Sequence, residues 1–428
     1  MIRKCPIVSN IVRDVYLPRM FKVTQHFPHE KLDSSKIPEI ITALLSAPKF
    51  SDQIKPGMRI AITAGSRGIA NMPLITRSIV DVVKSHGAKP FIVPAMGSHG
   101  GSTAEGQKAM LETLGFTEKS MGCPIISSME VKKIGVTEEG EDTFIDKNAA
   151  EADGIIISCR IKPHTGFRGK YESGIMKMMA IGLGKQHGAE VCHREGFKNM
   201  AKNIPLFGKA IIKHAPILFA VATLENAFDE TRKLIVLNAD EIEREEPRFL
   251  KEAFHYMPRI LVDSCDILVV DQIGKNYAGS GMDPNITGTF STPYASGGIK
   301  AQQVCVLDVS PESHGNAIGI GNANATTTRV FNQLDVAAMY PNAITAKILS
   351  VVRIPIVMES DKEAIQVCVK VCTEIDEKNP RIVRIPNSLH IEHIWLSEAY
   401  YKEAMNNPDL IIETEPDYMP FDEKGNLL

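Results

Sequence analysis

Apolar and polar positions along the chain fall into short β-rich runs separated by stretches of helical period. RIAITA (59–64) precedes a helical pattern over about 72–86, then KPFIVP (89–94), then a helix from about 103. GIIIS (154–158) reads as a strand buried on both faces, and ILFAVATLE (217–225) and KLIVLN (233–238) as further strands. The charged segment from Ala239 to Ile260 reads as a helical connection interrupted at Pro247. A second series runs through DILVVD (266–271), QVCVLDV (303–309), a helix over about 326–338, IPIVM (354–358), a helix near 362–373 and RIVRIP (381–386). This alternation predicts an α/β fold of two domains with largely parallel sheets, residues 1–262 and 263–428, and an active-site cleft between them. The last helix, LSEAYYKEAMNN, is able to pack on either domain.

Composition narrows the class. The 428 residues are 44% hydrophobic, with a net charge of −3, enough to bury full cores. No basic stripe or finger pattern supplies a footprint for nucleic acid. Neither a signal-peptide core at the start nor an apolar run of about eighteen residues is found, so a cytoplasmic protein without membrane partners is expected. Eight cysteines occur without a CxxC, and reduced structural thiols are expected.

The candidate chemistry clusters after predicted strands. Arg67 lies in AGSRG, His99 in AMGSHGGS, His164 in RIKPHTGFRG and Lys275 in QIGKN. Ligands in open parallel sheets bind outside the carboxyl ends of the strands, so these loops can face one cleft. Around His99, Ser102 and Glu105 read as a capping box that starts the next helix. Near His164, Lys162, Arg168 and Lys170 provide an anion site or a solvated basic loop. Lys177, within IMKMMAI, either snorkels to water or keeps a neutral, reactive amine. Lys185 reads as the more exposed lysine, and His187 and His193 are both candidate metal ligands. The loops GIGNANATTTR and AGSRG match neither a Walker A motif nor a dinucleotide fingerprint.

Taken in order, Gly97-x-His99, Pro163-His164, Gly174-x-x-Lys177 and His193 resemble the pattern of the nickel-pincer-dependent lactate racemase family. Gln272 and Lys275 match that family's QxxK, and Arg67 resembles its N-terminal substrate-binding arginine. The resemblance implies nickel and a pyridinium-3,5-bisthiocarboxylic acid mononucleotide, joined to Lys177 through a thioamide at the Gly174 turn. It implies that His193 completes the nickel's square plane. His99 and His164 would serve as acid and base on a 2-hydroxy acid whose carboxylate Arg67, Gln272 and Lys275 hold. Hydride would pass from C2 to the cofactor and back through a planar 2-keto acid. Partner proteins that make the cofactor and insert nickel are implied as well. Three more residues than expected separate His164 from Lys177; Ala64 replaces an expected aspartate, and Trp395, the only tryptophan, lies too late to match the aromatic residue of the family's lactate site, which points to a different or larger hydroxy acid. Asn324 stands where an acid is common. The alternatives are a metal-dependent lyase or hydrolase using the same histidines without a covalent cofactor, and a nickel- or cofactor-binding protein without catalysis.

Overall fold

The computed structural model describes residues 6–428, so Cys5 lies outside the described residues; the other seven cysteines are unpaired thiols. The described residues divide into two compact units, one of residues 28–257 and one in which residues 6–27 join 258–428. Residues 6–27, expected in the first domain, therefore belong with the C-terminal segment. The physical reason is strand pairing: Met20–Gln25 runs antiparallel to both His393–Ser397 and Leu410–Ile412.

In the 28–257 unit, five strands stand in the order Lys89–Pro94, Arg59–Ala64, Gly154–Arg160, Ile217–Glu225, Thr231–Asn238. The first four are parallel and the last returns antiparallel. Alternate residues feed two cores. Ile60, Ile62, Ile156 and Phe219 face one, while Ala61, Ile155, Ile157 and Ala220 face the other. Burial on both faces is why these runs are continuously apolar. A separate hairpin pairs Val131–Val136 with Asp142–Asp146.

The charged helix Ala239–Tyr256 is continuous through Pro247. Its buried stripe is Ile242, Glu246, Phe249, Leu250 and Ala253, an amphipathic spacing that sets it against the sheet rather than leaving it a connection.

The other unit holds an eight-stranded mixed sheet. From the edge its order is Ile356–Met358, Ala325–Thr327, Lys300–Val309, Ser264–Ile273, Ile382–Ile385, His393–Ser397, Met20–Gln25, Leu410–Ile412. The first five strands are parallel, the rest antiparallel. The helix expected over 326–338 is a short strand followed by two helices, Thr328–Gln333 and Val336–Thr345, parted at the extended Leu334. Asp335 starts the second by accepting from the amides of Ala337 and Ala338. The final helix, Tyr401–Asn406, packs within this unit, with Tyr401 edge-on to Phe21 at 5.1 Å between ring centres. No described helix is long and apolar enough to cross a membrane.

Candidate functional site

Strand order brings three of the loops together. Lys89–Pro94, Arg59–Ala64 and Gly154–Arg160 are adjacent and parallel, so the turns carrying His99, Arg67 and His164 leave the same end of one sheet. The His99 loop is tied to its neighbour at once, Ala95 N–H donating to Ala64 O at 2.8 Å. The imidazole Nδ1 lies 2.7 Å from Met96 O. A carbonyl only accepts, so Nδ1 carries the proton and Nε2 presents a lone pair. Arg67 Nη2 stands 3.4 Å from that Nε2. Arg67 is exposed by surface area, yet crowding and the charge of Arg160 pull its pKa down; its side chain stays a cation. The expected Ser102/Glu105 capping box is not the cap. Ser102 turns into the left-handed region at φ 56°, and Thr103 caps Ala104–Thr113 by accepting from Gly106 N–H.

The His164 loop is closed by an antiparallel bridge between Lys162 and Ser173. Its centre is the carboxylate of Glu172, only 2% exposed, which takes the amides of His164 (2.7 Å) and Gly169 (3.2 Å) and Arg168 Nη1 (3.3 Å). Arg168 also donates to His164 O at 2.7 Å. Burial raises the Glu172 pKa against the pull of these donors. The extra residues between His164 and Lys177 thus form a packed loop. Here Gly166 N–H donates to His164 Nδ1 at 2.9 Å, so the lone pair sits on Nδ1 and a neutral ring carries its proton on Nε2. The two histidines therefore hold opposite tautomers. His164 is half-buried by area, and burial together with Lys177, His193, Lys162 and Arg168 holds its pKa well below the usual imidazole value.

Lys177 follows directly. Gly174 is buried beside Glu246, whose Oε1 would lie 2.1 Å from any Cβ there. Glu246 Oε2 accepts Met176 N–H at 3.0 Å and caps the turn Ile175–Lys177. Beyond Lys177 the helix widens into a π-turn, Met178–Leu183, a form that recurs at functional sites. The amine of Lys177 is lowered to about 8, first by burial and then by Arg67 and Lys162. By area the side chain is half-buried, so crowding at the amine rather than full enclosure causes the shift.

His193 ends the helix Lys185–Cys192. It shares Phe197 with His164, the ring centres lying 5.7 and 6.2 Å away. His187 instead stacks edge-on against Phe144 of the hairpin at 4.5 Å. Lys185 corrects the reading of an exposed lysine: it is fully buried.

Arg67, His99, His164, Gly174, Lys177 and His193 thus belong to one unit. Gln272 and Lys275 belong to the other, at the carboxyl end of Ser264–Ile273. Gln272 Oε1 accepts from Tyr277 Oη at 3.0 Å, and Lys275 Nζ donates to Gly279 O (2.9 Å) and Asn342 Oδ1 (3.0 Å). Asn324 pairs strands, its Oδ1 accepting Val304 N–H at 2.8 Å. Sequence reasoning missed Glu172 and Glu246. A signal for Glu246 existed, because position 246 falls on the helical stripe of Ile242, Phe249 and Ala253.

Residues 12–204 match the family model described as the lactate racemase N-terminal domain. Among solved structures, the lactate racemase apoprotein from Thermoanaerobacterium thermosaccharolyticum is 16% identical over 84% of this chain and 92% of that one, with a TM-score of 0.49. A protein from Thermotoga maritima is 13% identical over 76% and 84%, with a TM-score of 0.48. No curated protein matches. Gln272 and Lys275 lie beyond the matched residues, whereas the six residues of the other unit lie within them. The likeness to the lactate racemase N-terminal domain thus spans residues 12–204 of the 428.

Proposed function

We propose that the chain is a racemase or epimerase of a 2-hydroxy acid that carries the nickel-pincer nucleotide on Lys177. The observation that carries this reading is the gathering in one unit of Arg67 against His99 at 3.4 Å, of His164 and His193 around Phe197, and of Lys177, whose amine is lowered to about 8 by burial and by Arg67. A thioamide link needs an unprotonated amine, and at that pKa roughly a tenth of it is neutral at pH 7. The donor set fits the group. His193 would hold the nickel through an imidazole nitrogen, a donor that suits Ni(II). Among the described residues no three of His, Cys, Asp and Glu come together as a ligand cluster, as a metal held by side chains alone would need.

When bound, the nucleotide supplies the acceptor and donor of the C2 hydride. The protein's own part is binding and proton handling. Arg67 is available to a carboxylate through charge-assisted hydrogen bonds. His99, protonated on Nδ1, is set to take the hydroxyl proton at Nε2. His164, protonated on Nε2, would act on the opposite face, at the hydroxyl that the other enantiomer presents. Both hydrogen bonds at Nδ1 orient the rings for those tasks.

The test is intact mass and metal content of protein produced together with the cofactor-making proteins, followed by chiral analysis of 2-hydroxy acids. An adduct on the Lys177 peptide, stoichiometric nickel and exchange of C2 configuration without net loss are expected. Activity from a chain with unmodified Lys177 would overturn the reading, and net consumption of the acid would identify a lyase.

A further inference from the structure

Lys185 is a buried cation for which the proposed reaction has no use. Its side chain is fully buried, and its backbone lies in the left-handed region at φ 54°, unusual outside glycine. The ammonium donates to Pro94 O at 2.6 Å and Gln107 Oε1 at 3.1 Å, and pairs with buried Asp146 Oδ2 at 3.2 Å. Asp146 Oδ2 meets the distance of an ion pair without the alignment of a hydrogen bond, so the attraction is mainly charge. Asp146 Oδ1 is occupied by Ala149 N–H. Gln107, fully buried as well, turns its amide nitrogen to Gly97 O (2.9 Å) and His99 O (3.2 Å). A chain of contacts thus runs from Lys185 through Gln107 to the backbone of the His99 loop.

The same loop lies directly on the π-turn that follows Lys177. Gly97 N–H donates to Gly182 O at 3.1 Å. A Cβ on Gly182 would meet Ala95 O at 2.7 Å, and one on Gly97, at φ 58°, would meet Ile181 O at 3.3 Å. Two glycines therefore allow backbone to lie on backbone, and Lys185 clamps the far side. Burying a lysine and an aspartate together costs desolvation, and apolar packing of similar volume is often as stable. What the ions supply here is direction: one ammonium addresses a strand end, a helix side chain and a hairpin.

We propose that Lys185 is a positioning residue that, through Gln107 and Pro94 O, fixes the His99 loop on the π-turn and so sets the spacing between His99 and Lys177. This rests on the reading that His99 and Lys177 serve one reaction.

The experiment uses the full chain without cofactor, and follows ¹⁵N signals of the histidine side chains in wild type, Lys185→Met and Gln107→Leu. Gln107→Leu leaves the contacts of Lys185 to Asp146 and Pro94 O in place and keeps the test alive if Lys185→Met does not fold. In the folded variants, His99 is expected to lose its single Nδ1–H form and show mixed tautomers, while His255 stays as in wild type. In loaded enzyme, Gln107→Leu should lower kcat tenfold or more with KM little changed, since a displacement near 1 Å costs up to about 100-fold. A lowered Tm with an unchanged His99 tautomer in both variants would overturn the proposal, leaving Lys185 a structural ion. Because the tautomer is read without cofactor, an unmodified Lys177 in active enzyme would sink the racemase reading and leave this result standing.

Discussion

A lysine amine crowded by cations gives up its proton early, and Lys177 is such a group. Burial and the charges of Arg67 and Lys162 outweigh the opposing pull of Cys192 and Glu172 and bring it to about 8. Modification of the Lys177 peptide by an amine-selective reagent, followed by mass across pH, should have its midpoint near 8. A midpoint at 10 or above would contradict the crowded site. Arg67→Ala should move the midpoint upward, because removing a nearby cation favours the ammonium. The sign for stability follows: between the folded value and the ordinary 10.5 the folded chain binds fewer protons than the unfolded one, so stability rises as pH climbs through that window. The sequence already carried the question, since a lysine inside IMKMMAI has to snorkel or lose charge. It did not carry the answer, because Arg67 lies far away in the chain and reaches this site only through the sheet.

At the scale of elements, the Lys177 turn is held by a residue from a helix that reads as a charged connection. Glu246 is buried between Gly174 and the amide of Met176, and burial raises its carboxyl to about 8 despite the amides that favour its charge. A raised carboxyl pKa contributes stability that is fully present below the unfolded value near 4.5 and is lost as pH rises through about 8. Glu246→Gln keeps an acceptor and removes the ionisation, so its thermal stability relative to wild type should improve steadily from pH 5 to pH 8. Parallel curves for the two proteins across that range would show that Glu246 ionises at an ordinary pH. The strands before the Arg67, His99 and His164 loops were legible because each is a continuous apolar run, and strand adjacency then gathered the loops. Glu172 and the π-turn were not, since a loop carboxylate and a widened helix leave no periodic trace. The Ser102 cap failed for a local reason: a left-handed residue at 102 shifts the helix start by one, to Thr103.

At the scale of the whole chain, one unit is continuous in sequence and the other is not. Residues 28–257 contain a complete sheet with a core on each face. The other unit needs the Met20–Gln25 strand, which lies between His393–Ser397 and Leu410–Ile412. Short non-local pairing of this kind is invisible to periodicity, which is why the sequence boundary at 262 kept residues 6–27 on the wrong side. Deleting 1–27 removes the buried side chains of Val12, Met20, Phe21 and Val23 and opens two strand edges. Each such side chain contributes about 1.5–3 kcal/mol. Together they approach the roughly 5–15 kcal/mol by which a domain is stable at all. Residues 258–428 alone should therefore lack a cooperative melt. Residues 28–257 alone should melt cooperatively, because both cores that flank its sheet lie within that unit. Circular-dichroism melts of the two pieces decide the matter: a cooperative transition in 258–428 at the full chain's temperature would show the first strand to be dispensable. An unfolded 28–257 would show that its two cores do not suffice.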